Sequence, residues 1–583
     1  MPAQCIRPSQ FITTYGPGSI LEGPQGPRVI CTLSRSELFQ TESPVQYQII
    51  EPALEPLLPA GARILRVPTN AEKQVPDSTP IYKTVPFPRW SLCTEHNTLY
   101  IYSQGASRTG CPRCPPLKDR WAARARSRRE AIRFVLACPE GHLSDVNWTG
   151  LMKHEHPSCS PSHLLWIGGG GALRNVYIQC PDCGGKANLG TAYGREWPCP
   201  GYFPEQESSD PECTTPAKIL QRGAANLHVA EVCSAVTVPR LDTPLHQALS
   251  SPVVKALLVV IPLEDGASLR EMLAKLAAQK VLPPWILPEV SKYSDADLLQ
   301  AAQDVQANPA AQDPQQARLN EFRELQRAAT RGHPLQMPAG TAAPLFEVPV
   351  HQVRTVSAPR GIVLRVAPVS RLRVVMVQTG YRRLGGKVVE CGFRHGAELW
   401  FPGVELYGEG VFIDLLPQPG AEGAVRHPDL PGDKAWRERW MTDREPANHP
   451  VFVWWHSLAH RLIRALSFDS GYSSTAVRER VYVRIDDSGQ ATGGVLLYAA
   501  QTGGDGTLGG LIALVPSFER VLRAALRNLD SCSNDPLCDE TVLRPGRGNG
   551  AACYACEFVS ETSCEHRNLN LDRHLLMASF CGP

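Results

Sequence analysis

What this chain lacks narrows its function first. No apolar run approaches the roughly 20 residues of a bilayer span; the longest, Val253–Pro262 and Val451–Trp455, are far too short. The opening MPAQCIRPSQFITTYGPG has no apolar signal core, which predicts a cytoplasmic protein with no membrane partner. Net charge is only +2 over 583 residues, so no global polycation marks it as nucleic-acid binding. No GxxxxGK[ST] sequence occurs and no strand-like segment ends in DExH-type acids, which argues against ATP hydrolysis by this chain alone. There is no Ser-His-Asp, paired-carboxylate or HKD-type constellation, and no repeat at solenoid periods.

What is present is a chain 43% hydrophobic and 20% charged, a composition that supports several packed domains. It carries 19 cysteines. In a reducing compartment that number points to metal ligation over disulfides. The cysteines fall in clusters. CTEHNTLYIYSQGASRTGCPRC supplies Cys93, His96, Cys111 and Cys114 across a strand-like hairpin, the two-knuckle pattern of a structural zinc. CPDCGGKANLGTAYGREWPCPGYFPEQESSDPEC offers Cys180, Cys183, Cys199 and Cys213 as a second quartet. ACPEGHLSDVNWTGLMKHEHPSC contains Cys138, His142, His154, His156 and Cys159 without a paired knuckle; a metal site and simple buried side chains remain equal readings. Near the end, SCSNDPLC and CYACEFVSETSC supply five thiols for four places. Cys553, Cys556, Cys564 and Cys538 form the expected set, with Cys532 in reserve. A catalytic cysteine usually stands alone beside a histidine or cation, so the expectation is about three closed Zn2+ sites.

Composition divides the chain into four segments: a Pro/Gly-rich strand segment at 1–80, a zinc-rich, ribbon-like domain at 81–240, a helical region at 241–344, and a mixed α/β zinc-binding domain at 345–583. The predicted fold class is α+β, multidomain. Arg120, Arg124, Arg126, Arg128 and Arg129 form a basic, helix-like stretch able to meet DNA phosphates. A solvated helix face or a dock for an acidic partner explains the same residues.

Two further motifs invite chemistry. HSLAH places His456 and His460 four apart on one helix face, but Ser457 replaces the glutamate of HExxH. GGDGTLGG, Gly503–Gly510, resembles a phosphate-binding turn but lacks the Walker Lys-Ser/Thr ending, so a helix-capping turn is the plainer reading. The rival readings are therefore a metal-dependent hydrolase or nuclease built on His456, His460 and Asp505, and a stand-alone DNA-binding zinc protein.

RPSQFITTYGPGSI, CPEGHLSDVNW, QRGAANLH, ELYGEGVF, HSLAHRLIRALS, GDGTLGGL and CYACEFVSETSCEHRNLNLDR together resemble the DrmB family of bacterial DISARM anti-phage systems. The C-terminal third is similar to the zinc-binding domain that ends MrfA-type helicases, including the Asn568, Leu571, Asp572, Arg573 tail. The resemblance implies a non-catalytic accessory subunit. Such a subunit would pair with a DrmA-type superfamily 2 helicase, bind and sense foreign DNA, and act beside a DNA methyltransferase.

Overall fold

The computed structural model describes residues 6–23, 26–102, 110–114, 129–169, 171–237, 243–261, 265–307, 313–331, 345–416, 427, 430, 433–486, 489–501, 509–541, 543 and 548–581. The chain forms two units. The first comprises Met1–Gln48, Gly61–Cys233 and Val377–Val404; the second comprises Ile49–Ala60, Ser234–Met376 and Glu405–Pro583. Helices and sheets are mixed in an α+β arrangement, and no described helix is long and apolar enough to cross a membrane.

In the first unit the strands are short because Gly, Pro and Asn interrupt them every few residues. Eight of them matter for the sites: β1 (Trp90–Cys93), β2 (Thr98–Ile101), β3 (Arg129–Ala131), β4 (Phe134–Ala137), β5 (Leu164–Ile167), β6 (Tyr177–Gln179), β7 (Lys186–Asn188) and β8 (Ala217–Gln221). One antiparallel sheet runs β7-β6-β5-β2-β1-β3, while β4 and β8 pair in another with Ala137 opposite Lys218. Leu99, Phe134, Leu136, Trp148, Leu164, Ile178 and Ile219 fill the core between them.

A single guanidinium gathers the distant motifs of this unit. Fully buried Arg383 donates to the carbonyls of Gly141 at 2.9 Å, Leu227 at 2.9 Å and Gly18 at 2.8 Å. Gly18 has φ of +85°, and an added Cβ would lie 2.6 Å from the Tyr381 ring, so only glycine fits there. Tyr381 in turn donates to Glu205 at 2.5 Å and stacks on His228.

The second unit contains the helical stretch that the polar-faced periodicity predicts: Pro244–Leu249, Pro252–Val260, Gly266–Ala278, Asp295–Ala307 and Pro314–Arg331. Three starts are set by side-chain caps. Thr243, Ser251 and Asp265 accept from the backbone N–H groups of His246, Val254 and Ser268 at 3.1, 3.3 and 2.8 Å. Beyond it, α1 (Pro450–Asp469), apolar up to Trp455 and buried along most of its length, lies on β9 (Val477–Ile485) and β10 (Ala491–Gln501). α2 (Phe518–Ala525) and α3 (Arg573–Phe580) cover its other faces. Gly493 allows the close approach: a Cβ there would sit 2.6 Å from both the Trp455 ring and the Tyr482 carbonyl. Buried ion pairs cross-link the unit, with Arg373 on Glu51 at 2.8 Å, and Arg480 between Glu321 and Glu565. Removing one member of such a pair costs about 3–5 kcal/mol, because the other charge stays buried alone.

Burial and the Arg383 charge lower the His228 pKa to about 3. The folded chain therefore holds this ring neutral while the unfolded chain protonates near pH 6.5. Stability contributed here is intact above pH 6.5 and falls by about 1.4 kcal/mol per pH unit below it. Chemical denaturation of His228→Gln against the wild type at pH 7 and pH 5 should show a smaller acid loss in the variant, by about 2 kcal/mol.

Candidate metal centres

Zinc–sulfur bonds of about 2.3 Å place the sulfurs of a tetrahedral site about 3.8 Å apart. A disulfide instead holds them about 2.05 Å apart. That pair of distances separates the two explanations for the clustered thiols.

Cys93, at the end of β1, His96, in the turn to β2, and the Cys111–Cys114 knuckle converge as the spacing predicts. Sγ of Cys93 lies 3.8 Å from Sγ of Cys114 and 3.6 Å from Nδ1 of His96, which is itself 3.3 Å from Sγ of Cys114. Burial raises the Cys93 thiol, but hydrogen bonds from the His96 backbone and ring outweigh it and bring it down to about 7.

The expected quartet of Cys180, Cys183, Cys199 and Cys213 is not one site; the structure divides it between two. Cys180 and Cys183 meet His154 and Cys159, with Cys159 and Cys180 sulfurs 3.7 Å apart and His154 Nδ1 3.4 Å from Cys183. Cys199 and Cys213 meet Cys138 and His142, whose Nδ1 is 3.2 Å from Cys138 and 3.5 Å from Cys199. Strand register explains the regrouping. β5 and β6 are antiparallel, with Leu165 opposite Gln179, so Cys159 before β5 and Cys180 after β6 fall at the same end. Likewise β4 and β8 put Cys138 after one strand beside Cys213 before the other. The open question at Cys138, His142, His154 and Cys159 resolves into these two groups, without His156. The backbone N–H groups of Glu155 and Gly185 lower the Cys183 thiol to about 6.

The C-terminal quartet also departs from expectation. Cys532 and Cys538 both join Cys553 and Cys556, while Cys564 is excluded. The sulfur separations are 3.5 Å for Cys532–Cys553, 3.7 Å for Cys538–Cys556 and 3.8 Å for Cys553–Cys556. Three near-tetrahedral edges fit a closed four-thiolate zinc site. Behind it, fully buried Arg573 donates to the Leu529 carbonyl at 3.0 Å and to Asp535 at 2.7 Å. Asp572 caps α3 through the His574 N–H at 3.1 Å and accepts from Trp436 at 2.8 Å. The LDR tail thus braces the knuckle, and these side chains hold its loop whether or not they touch a ligand.

Cys564 instead faces His456, His460 and Glu479, all buried. Glu479, on β9, had no sequence signal at all. Asp505 and residues 503–508 of the glycine-rich turn lie outside the described residues. At the turn's end, Leu511 N–H donates to Glu409 at 3.0 Å, joining the ELYGEGVF and GDGTLGGL motifs. Of the basic stretch, Arg120, Arg124, Arg126 and Arg128 lie outside the described residues, and Arg129 stands 3.7 Å from the Tyr102 ring centroid.

Residues 7–229 match a domain of unknown function, DUF8724, and residues 458–557 match the MrfA Zn-binding domain. The second match contains the whole Cys532–Cys538–Cys553–Cys556 quartet. The DISARM protein DrmB of Bacillus paralicheniformis is 27% identical over 556 residues, 88% of this chain and 91% of that protein. The likeness to DrmB read from the motifs is borne out over that span. The crystal structure of the DUF1998 helicase MrfA bound to DNA overlaps 38% of this chain and 25% of its own, at 11% identity and a TM-score of 0.18. That overlap carries no structural argument.

The regrouping is directly testable with Cys180→Ala and thiol alkylation read by mass spectrometry. Cys159 and Cys183 should become reactive while Cys199 and Cys213 stay protected. Exposure of Cys199 and Cys213 instead would restore the grouping by sequence spacing.

Proposed function

We propose that this chain is a non-catalytic, zinc-scaffolded subunit of a DISARM-type anti-phage complex. In this reading it acts in the bacterial cytoplasm, pairs with a DrmA-type superfamily 2 helicase and contributes to binding and sensing foreign DNA, beside a methyltransferase. The observation that carries the proposal is the 27% identity to DISARM protein DrmB across 88% of the chain. The MrfA Zn-binding match at 458–557 supports a metal-braced C-terminal scaffold.

The site chemistry agrees with a scaffold. Four of the clusters each offer a full set of four thiol or imidazole donors. Closed sets of that kind hold segments together, whereas hydrolytic zinc keeps a position for water. Zinc held there would supply cross-linking, and the residues around it do the rest: Arg573 and Asp572 orient the knuckle, and Arg383 gathers three loops. The hydrolase reading on His456, His460 and Asp505 gains no support, because both imidazoles are fully buried and turned toward Glu479. With no Walker A sequence in this chain, the nucleotide-driven step falls to the helicase. The basic stretch from Arg120 to Arg129 is the proposed phosphate-binding segment.

Co-expression with the helicase of the same defence locus should yield one co-eluting complex that binds DNA more tightly than either chain alone. Replacing Arg120, Arg124, Arg126 and Arg128 by alanine should weaken binding for all sequences. It should also flatten the log K against log salt slope by about 0.9 for each duplex phosphate that is no longer neutralised. ATP turnover on DNA by the isolated chain would refute the accessory role.

A further inference from the structure

The His456, His460, Glu479 and Cys564 cluster stands apart from the thiolate quartets. The MrfA Zn-binding match ends at residue 557 and starts at 458, so it contains neither His456 nor Cys564. The four ligand atoms nevertheless lie within 4.8 Å of one another. They come from two consecutive turns of α1, the start of β9 and the loop before α3.

Hydrogen-bond direction fixes what each group presents. A carbonyl oxygen only accepts, so Nδ1 of each imidazole must carry hydrogen. His456 donates from Nδ1 to the Asn570 carbonyl at 3.1 Å, and His460 to the Glu557 carbonyl at 2.8 Å. Metal-bound histidines are oriented in this way by their other nitrogen. Nε2 of each ring then points inward. Both Nε2 atoms meet Oε1 of Glu479, at 2.7 and 3.3 Å, and His456 Nε2 is 3.2 Å from the Cys564 sulfur.

The other two members are a sulfur and a carboxylate. The Cys564 sulfur receives the backbone N–H groups of His566 at 3.3 Å and Asn568 at 3.2 Å, although burial and the neighbouring Glu479 charge push its thiol well up. Oε2 of Glu479, wholly buried, has no hydrogen-bond partner among the described residues. Two imidazole nitrogens, a carboxylate and a sulfur therefore converge among buried side chains, and the unmet carboxylate oxygen is costly there. Protonating both rings would set two imidazolium cations with centroids 4.5 Å apart. A divalent cation meets all four at once. With one carboxylate and one thiolate the assembly would also be neutral, the charge state that a buried site tolerates best.

We propose that His456, His460, Glu479 and Cys564 form a further, buried zinc-type site with mixed nitrogen, oxygen and sulfur ligands. Two imidazoles, one carboxylate and one thiolate suit Zn2+. Loading would displace the Cys564 thiol proton to solvent, with no change of oxidation state. Because all four positions are protein ligands, the ion would lock structure and not activate water. It ties α1 and β9 to the loop that leaves the thiolate quartet eight residues earlier, at Cys556. The two sites would then clamp one loop from both ends.

The inference does not depend on the DISARM role. Its test is anomalous diffraction above the zinc edge from crystals of the full chain produced in zinc-supplemented medium. A peak between the four side chains is expected. Peaks at the thiol-rich quartets with none here would overturn this site alone, and peaks nowhere would overturn the zinc scaffold with it. A second reading is metal content of the His456→Ala/His460→Ala chain, and of Glu479→Gln should the first not fold. Each should lose one equivalent against the wild type, and an unchanged content would overturn the site.

Discussion

Sulfur atoms held 3.5–3.8 Å apart are the constraint on which this architecture depends. That spacing is too long for a covalent bridge and matches the edges of a zinc tetrahedron. In the first unit the strands it joins are short and broken by turns, and the buried Cys138 and Cys180 pack into the same core as Phe134, Trp148 and Ile178. Closing a longer loop costs only slightly more entropy than closing a shorter one. Joining Cys138 to Cys213 is therefore hardly less favourable than joining Cys93 to Cys114.

Polar hubs complete what the thiols begin. Arg383 draws the carbonyls of Gly18, Leu227 and Gly141 to one guanidinium. In the other unit, Glu409 accepts from Tyr472 and from Leu511 N–H, and Ser457 accepts from Asp572 N–H. Several of the motifs quoted from the sequence thus meet at these hubs. Their role is positional: each supplies a carbonyl, a small residue or a cap where another backbone must approach. That is the behaviour of a platform, and it accords with a subunit whose proposed part is to present surfaces to a motor and to DNA.

The same logic gives HSLAH a purpose that its spacing alone left open. Ser457 Oγ receives the Asp572 N–H at 2.8 Å, so the serine in place of the HExxH glutamate joins α1 to the C-terminal tail. The flanking histidines turn inward to Glu479 and Cys564. One helix face is therefore taken up by internal contacts.

By itself the sequence determined the elements and the donor chemistry. Helical periodicity and proline breaks marked 241–344 as helical, and CxxC knuckles marked Cys111–Cys114, Cys180–Cys183 and Cys553–Cys556. The nearest-neighbour assumption sufficed where one hairpin closes the site, as at Cys93 and His96. It failed where strands from distant segments pair, because register decides which ends meet. Only the tertiary structure assigned Cys199 and Cys213 to Cys138, exchanged Cys564 for Cys532, and brought Glu479 to the histidines. Local pattern encodes what a residue can bind; the long-range pairing of backbones decides beside whom it stands.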